Sequence, residues 1–561
     1  MKLDGLLEIG RAAPVYRDLL AALKAEATLT GPLGIYHAAR PYLAALLARD
    51  LWRPLIVLTA RTQRARQWVD ELRIWLPDPY PVHAFADPDA LPYERIPWAP
   101  ETRQRRLETF VSLLTWQDET AGGNPPSEIT HRKAPIVVAS ARAFMHATLP
   151  PRELRAGLRS IRQGQLFDMN KLLALWVGLG YESAAVVDLP GMFSRRGGIV
   201  DVWPPNLRKP VRIELFGDEI DSLRVFDPST QRTLDRIQQT WIGPASEALP
   251  KMGERMAERL RSLDLTPCHP PARIEYEREI SSLLAGSGFR NLEWWIPYLY
   301  SQPACLLDYA PRSCLLLLDD AADLLPALAD LEGQAEQLGR DLSAAGDLPV
   351  GMTPPYLPGQ ALRERIGGTY GARGPAPEDA RGGVSRPITP AAGCRVLSLG
   401  NAALDGWATS VDTPLAHAFR AGPRYGGQVR AIVAEVERGL REGETIILVS
   451  RQAPRLADLF GEARHAIAPV ENLTTPPPAG LTLVQGVMDE GWVLDGGSWF
   501  LTDAELFGWA KPKPRRPQRT RGLSTEVFFA DVQPGDFVVH LEHGIVRFLG
   551  LVKLALDGVE R

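Results

Sequence analysis

Cysteine is scarce in this 561-residue chain. Cys268, Cys305, Cys314 and Cys394 are scattered without the spacing of a metal site or a disulfide framework. That excludes a small stapled fold and points to reduced, structural thiols in a cytosolic protein. Long apolar runs are missing too. The strongest, residues 314–318, stops at Asp319-Asp320, far short of the roughly 20 residues of a membrane span, and residues 1–10 lack the apolar core of a secretion signal. A soluble, cytoplasmic protein without membrane association is expected. Neither sign of charge dominates. Lys and Arg number 63 against 67 Asp and Glu, a net charge of −4, so any contact with nucleic acid must be local. The first glycine loop, residues 29–37, reads Leu-Thr-Gly-Pro-Leu-Gly-Ile-Tyr-His. A phosphate-binding P-loop needs a Lys for the β/γ-phosphates and a Ser or Thr hydroxyl for Mg²⁺. Here Ile35 and Tyr36 follow Gly34, and Pro32 removes a backbone donor. Nucleotide hydrolysis at this loop is excluded, and no cofactor is expected.

What is present is globular material in quantity. A hydrophobic fraction of 45% with 23% charged residues can fill several cores, and the length predicts roughly three to five domains. Residues 1–151 read as an α/β unit. Leu55-Ile56-Val57-Leu58 is an apolar strand of the fully buried parallel type. A helix with Trp68, Leu72 and Trp75 on one side follows, then strands over 82–85 and 136–138, an alternation that predicts a mostly parallel sheet. Residues 118–135, rich in Gly, Pro, Ser and Thr, read as an insertion. Residues 314–320 (Cys-Leu-Leu-Leu-Leu-Asp-Asp) are either a buried strand ending at a polar turn or an acidic strand-end box of the nucleotide-binding type.

Further on, residues 373–390 are Gly-, Pro- and Ala-rich with little periodicity and read as a linker. A second small α/β unit is expected to start at 395–399, with a helix over 429–440, a strand over 445–450 and a helix reaching Phe460. Lys511, Lys513, Arg515, Arg516, Arg519 and Arg521 make the one strongly basic stretch. It is either a solvated linker or a salt-sensitive contact with the backbone of double-stranded DNA; no aromatics interleave, so base stacking is unsupported. In residues 527–561, short apolar runs at 537–539 and 545–551 with Gly544 at the corner fit curved strands. His540 and His543 have ligand-like spacing, but no Cys or further His clusters with them, so no metal is expected.

The most informative stretch is residues 191–234. Val211, Ile213 and Leu215 alternate with Arg212 and Glu214, Gly217-Asp218 follows, and a second strand runs to Phe226. A two-residue Gly-X connection suits a type II′ hairpin, because glycine takes positive φ without steric cost. That register pairs Leu215 with Ile220 and sets Glu214 against Asp221, a like-charge pair that Arg212 on the diagonal would have to offset.

This stretch resembles a signature shared by the transcription-repair coupling factors and the excinuclease component UvrB: Arg196-Gly197-Gly198, Trp203-Pro204, Phe216-Gly217-Asp218-Glu219-Ile220, then Phe226-Asp227-Pro228-Ser229-Thr230-Gln231. The resemblance implies a small domain that docks onto the repair protein UvrA. Exposed arginines and aromatics commonly dominate interfaces, so Arg195 and Arg196 are the expected contacts, with Tyr181, Phe193 and Asp201 in support; the alternative is that Asp201 and an arginine merely pair within the sheet. Leu91-Pro92-Tyr93-Glu94 and residues 101–114 are similar to the coupling factors' first domain, whose UvrB-like sheet lacks the ATP site. UvrB carries a tyrosine-rich hairpin here, whereas Tyr93 is the lone tyrosine between Phe85 and Pro100. Residues 486–507 resemble the end of the coupling factors' third domain. Residues 536–551 resemble the opening of a CarD-type, Tudor-like barrel, which in that family pairs its sheet edge with the RNA polymerase β subunit and points to Arg547, Phe548, Leu549, Gly550 and Leu551. At Arg561 such a barrel would be half built, so a fragment is expected.

The implied fold is a multidomain α/β chain. A UvrB-like parallel-sheet domain of degenerate P-loop NTPase type (1–151 and 237–350) carries an inserted small antiparallel UvrA-binding domain (152–236). A linker (351–394), a second small α/β domain (395–510), a basic linker (511–526) and the start of a Tudor-like barrel (527–561) follow. The implied function is to couple stalled RNA polymerase to nucleotide excision repair. The family's DNA translocase motor, with its ATP and Mg²⁺, would lie outside this chain, which then holds no catalytic residue. The alternative, a damage-verifying helicase of the UvrB type, is opposed by the missing lysine and hairpin. A CarD-like transcription regulator would leave the first 520 or so residues unexplained.

Overall fold

A computed structural model describes residues 1–26, 31–120, 133–371, 394–402, 413–462, 465, 467–508 and the short strands 537–540, 544–547, 555–556 and 559–560. The chain forms two compact units, residues 1–509 and 510–561.

The first unit is built on a five-stranded parallel sheet. In spatial order its strands are Arg395–Ser398, Leu315–Leu318, Leu55–Thr59, Ile136–Ser140 and Val82–Phe85. Its three central strands are buried throughout, as continuous Val/Ile/Leu runs require when helices cover both faces. Helix Thr62–Trp75 buries Trp68, Leu72 and Trp75 on one face, and helix Pro100–Thr120 packs Leu107, Phe110 and Leu114 on the other. One expectation is corrected here. Arg395–Ser398 does not open the second α/β unit; it hydrogen-bonds along Leu315–Leu318 and completes the first sheet. Its four residues carry no local mark of which sheet they join, since parallel partners are always distant in sequence.

Between the third and fourth of these strands in chain order, Ile136–Ser140 and Leu315–Leu318, the chain builds a second sheet of six strands. Their order is Thr233–Ile237, Glu219–Phe226, Val211–Phe216, Ile199–Val202, Met192–Arg196 and Glu182–Ser183. All neighbours are antiparallel except the last pair. A two-stranded ladder of Arg159–Arg162 with Gln239–Ile242 joins the entering and leaving chain. Val200, Val202, Val211, Ile213 and Leu223 are buried, and helix Met169–Gly178, capped by the Asp168 carboxylate, sets Trp176 against Phe193 at 5.9 Å between rings.

The hairpin turns at Gly217 with φ +64°, while Asp218 keeps negative φ, and Leu215 pairs with Ile220 as expected. Glu214 does not face Asp221. A β-bulge between Glu214 and Leu215 sets Glu214 opposite Ser222, where its carboxylate accepts from Ser222 Oγ at 2.6 Å and Arg224 Nη2 at 2.8 Å. The bulge removes the repulsion that a regular ladder would impose. At Gly217 an added Cβ would meet nothing within 4 Å, so Gly217→Ala carries only the backbone penalty of positive φ. It should destabilise the chain by about 1 kcal/mol, read as a small shift in urea midpoint.

A third sheet orders Phe419–Arg420, Trp492–Leu494, Ser498–Thr502, Thr445–Ser450 and Gly480–Gln485, with helices Val429–Arg441 and Ala453–Glu462 beside it. Trp492 ties this sheet to the first sheet's helices. Its ring lies 4.6 Å from Tyr42, 5.4 Å from Phe419 and 5.5 Å from Phe500. Among the described residues no helix is long and apolar enough to cross a membrane.

Candidate interaction site

One end of the six-stranded sheet gathers the groups suited to recognition. Strands Met192–Arg196 and Ile199–Val202 join through Gly197, at φ +63°, and Gly198 O accepts from Leu215 N at 2.9 Å. That bond brings this turn to the same end as the Gly217 turn. Arg195 and Arg196 are exposed there. Arg195 Nη1 donates to Asn170 Oδ1 at 3.1 Å and Arg196 Nη2 to Ala185 O at 2.9 Å. Neither forms a salt bridge with a carboxylate among the described residues, so both keep their charge available. The other three expected contact residues lie beneath the surface. Tyr181 is buried with its hydroxyl donating to Gly243 O at 2.6 Å. Phe193 is buried against Trp176. Asp201 is buried and accepts from Arg212 Nε at 2.7 Å and Nη2 at 2.9 Å. These three shape the sheet and present no surface.

Two residues not expected from the sequence as contacts stand at this end. Phe216 is 85% exposed and Leu166 is 74% exposed. Phe216 faces Glu219 across the hairpin, and Glu219 bridges to Leu166 on its other side, so the two apolar groups lie in one row across the strand ends. A signal was available: Phe216 falls in the polar phase of its strand with Arg212 and Glu214. An aromatic there has no core to enter, and exposed aromatics beside arginines are the typical anchors of protein interfaces.

The glycine loop lies elsewhere, at the carboxyl end of the parallel sheet, where α/β folds place ligands. Leu33 N and Ile35 N donate to Ser398 O and Leu399 O, at 2.9 and 2.8 Å. Arg40 is buried. It donates from Nε to Ile35 O at 3.0 Å and from Nη1 to Asp319 O at 2.7 Å, and its Nη1 also reaches Asp319 Oδ1 at 3.2 Å. Arg64 Nε meets Asp319 Oδ2 at 2.9 Å. Burial acts to raise the Asp319 carboxyl, but the two guanidiniums overcome it and hold it below the usual carboxylate range. The acid at the end of Leu315–Leu318 is thus matched by two internal cations.

A cleft of about 660 Å³ beside His37, Arg40 and Arg64 is closed on one side by Asp489 and Glu490, on the loop between strands Gly480–Gln485 and Trp492–Leu494. Glu490 accepts from Tyr36 Oη at 2.8 Å, His37 Nε2 at 2.5 Å and Arg424 Nη2 at 2.9 Å. The hydrogen bond from His37 does most to lower the Glu490 pKa to about 2. A folded pKa below the ordinary 4.5 gives stability that is complete above about pH 5 and lost as pH falls toward 2. The stability difference between the native chain and Glu490→Gln should therefore be present at pH 5 and shrink as the pH falls toward 2. Thermal unfolding at a series of pH values checks this.

In the second unit, Phe537–His540 pairs antiparallel with Gly544–Arg547, setting Phe537 opposite Arg547. Phe548, Leu549, Gly550, Leu551 and His543 lie outside the described residues, as do Lys511, Lys513, Arg515, Arg516, Arg519, Arg521 and residues 373–390.

Comparison with known proteins assigns both regions to classes of interaction module. Residues 160–247 match the UvrB interaction domain, and residues 532–561 match the CarD-like/TRCF RID domain. The chain is 25% identical over 548 residues to the transcription-repair-coupling factor of Bacillus subtilis, covering 94% of this chain and 42% of that protein. It is 29% identical over 453 residues to that of Myxococcus xanthus (76% and 35%), and 26% identical over 573 residues to that of Mycobacterium bovis (99% and 43%). The chain thus spans 35% to 43% of the length of these curated relatives. Residues 191–234 lie within the first family match and residues 536–551 within the second, and the similarity to transcription-repair-coupling factors extends over most of the chain.

Proposed function

We propose that this chain is the recruiting portion of a transcription-repair coupling factor, joining UvrA to stalled RNA polymerase. The observation that carries this reading is the end of the six-stranded sheet, where Arg195, Arg196, Phe216 and Leu166 are exposed together within the UvrB interaction match. Tyr181, Phe193 and Asp201 hold that surface from below. Residues 532–561 open a Tudor-like barrel that contacts the polymerase β subunit through residues 547–551. Lys511, Lys513, Arg515, Arg516, Arg519 and Arg521 touch the backbone of double-stranded DNA. The parallel sheet with its glycine loop is a degenerate nucleotide-binding fold. Arg40 and Arg64 are committed to Asp319, so ATP and Mg²⁺ belong to the family's motor and not to this loop.

The test is calorimetry of the whole chain against purified UvrA. Saturable binding at micromolar concentration or tighter, lost in the Arg195→Ala/Arg196→Ala double variant, supports the reading. Binding that the double variant retains in full would remove this surface from it.

A further inference from the structure

The parallel sheet ends in a strand edge that no described strand covers. Val82–Phe85 is paired with Ile136–Ser140 on one side only. Ile136 N donates to Pro81 O at 2.9 Å, so by the alternation of a parallel ladder the N–H and C=O of Ala84 face the open side. A cleft of about 680 Å³ runs there, with Val82, His83 and Ala84 as its floor. Helix Thr62–Trp75 contributes Arg66 and Arg73, helix Pro100–Thr120 contributes Arg105, and the loop at 205–210 contributes Arg208. The two helices pack on opposite faces of the sheet, so guanidiniums flank the edge on both sides.

Four arginines meet two carboxylates, Asp70 and Glu108. Arg208 Nε lies 3.5 Å from Glu108 Oε1, while Arg66, Arg73 and Arg105 form no salt bridge among the described residues. Burial first, and then the fields of Arg208 and Arg73, push His83 down to about 4, so the floor is neutral under a positive rim. Cations beside an open edge disfavour basic strands, which is how many edges are protected. The same arrangement favours an acidic strand. Arg66 and Arg73 are two helical turns apart, about 10 Å, the length of about three residues of extended chain. A strand whose side chains alternate between the faces would set carboxylates against arginines on each.

We propose that this edge docks an extended acidic segment of a protein partner, which adds to Val82–Phe85 as a sixth strand through the backbone of Ala84 and sets its carboxylates against Arg66, Arg73, Arg105 and Arg208. Backbone pairing supplies registry, and the arginines select for acid. The edge and Arg66, Arg73 and Arg105 lie outside the six-stranded sheet, and Arg208 stands on the connection between Ile199–Val202 and Val211–Phe216, at the end opposite Arg195 and Phe216, so the inference does not rest on the UvrA reading.

The probe is a fluorescein-labelled decapeptide of glutamates with two central valines, titrated with the whole chain and followed by anisotropy. Saturable, salt-weakened binding is expected, falling at least tenfold in Arg66→Glu/Arg73→Glu/Arg105→Glu. Those side chains are exposed and outside any salt bridge among the described residues, so circular dichroism should be unchanged. Ala84→Pro, which deletes one outward N–H at a position where an edge strand tolerates proline, should weaken binding to a similar extent. Three results would overturn the proposal: no saturable binding, equal binding of a peptide N-methylated at alternate residues, or preferential binding of a labelled 20-base-pair duplex. The second would mean charge without strand pairing, the third a nucleic-acid face.

Discussion

Replacing Glu247 with alanine is expected to destabilise the first unit by about 3–5 kcal/mol, a loss typical of an uncompensated buried charge. Arg106 is fully buried on helix Pro100–Thr120, and Glu247 is 1% exposed. Arg106 Nε donates to Glu247 Oε1, Nη2 reaches Oε2 at 3.2 Å, and Nη1 donates to Ala86 O at 3.0 Å. Thr148 Oγ1 donates to the same carboxylate. The guanidinium also lies over Phe85 and Trp98, at 4.2 and 4.9 Å to the ring centroids. In Glu247→Ala the cation stays in this apolar cage with one carbonyl left to satisfy it. The pair fastens the chain leaving the six-stranded sheet to the helix on the parallel sheet, so its loss should loosen that junction. Urea unfolding should show a lowered midpoint. Arg106→Met combined with Glu247→Met should recover much of the loss, because neither charge then remains buried. A midpoint shift below about 1 kcal/mol for Glu247→Ala, the scale of an exposed pair, would show that the pair is hydrated in solution.

The second large effect concerns UvrA affinity. If the proposed surface binds UvrA, Phe216→Ala is expected to weaken the complex by about 2–4 kcal/mol, the range of an aromatic hot spot, or roughly 30- to 1,000-fold in Kd. Because Phe216 is 85% exposed in the free chain, its unfolding midpoint should not move. Arg195→Ala/Arg196→Ala should act differently. Exposed charges steer encounter, so much of its effect should appear in the association rate and shrink with added salt. Phe216→Ala should act chiefly on dissociation and persist at high salt. Stopped-flow association at two salt concentrations separates them. An unchanged Kd for Phe216→Ala would take the apolar row out of the interface and leave the arginines as the candidate contacts.

Much of this organisation is legible in the residue order, where the physics is local. The apolar run 55–58 can only be a doubly covered strand, and Gly217-Asp218 can only reverse the chain tightly. Both appear as expected. Arg196-Gly197-Gly198 and residues 226–231 carry the family resemblance, and with it the expectation that this sheet meets UvrA. Where partners come from afar, local reasoning has nothing to act on. Arg395–Ser398 joins a sheet whose nearest strand lies some eighty residues earlier. The bulge at Glu214 answers a charge conflict that a regular ladder would have kept.

By itself, the sequence determined which elements form and what chemistry they cannot do. Residue order sets apolar periodicity and turn propensity, and a glycine loop without lysine or a following hydroxyl cannot serve as a P-loop. Only the tertiary structure decided which side chains face solvent. Tyr181, Phe193 and Asp201 belong to the same motif as Arg195 and Arg196 yet are buried, while Phe216 and Leu166, fifty residues apart, share one exposed row. The polar phase of its strand marks Phe216 locally, but its juxtaposition with Leu166 is a property of packing among segments distant in the chain, which no local pattern encodes.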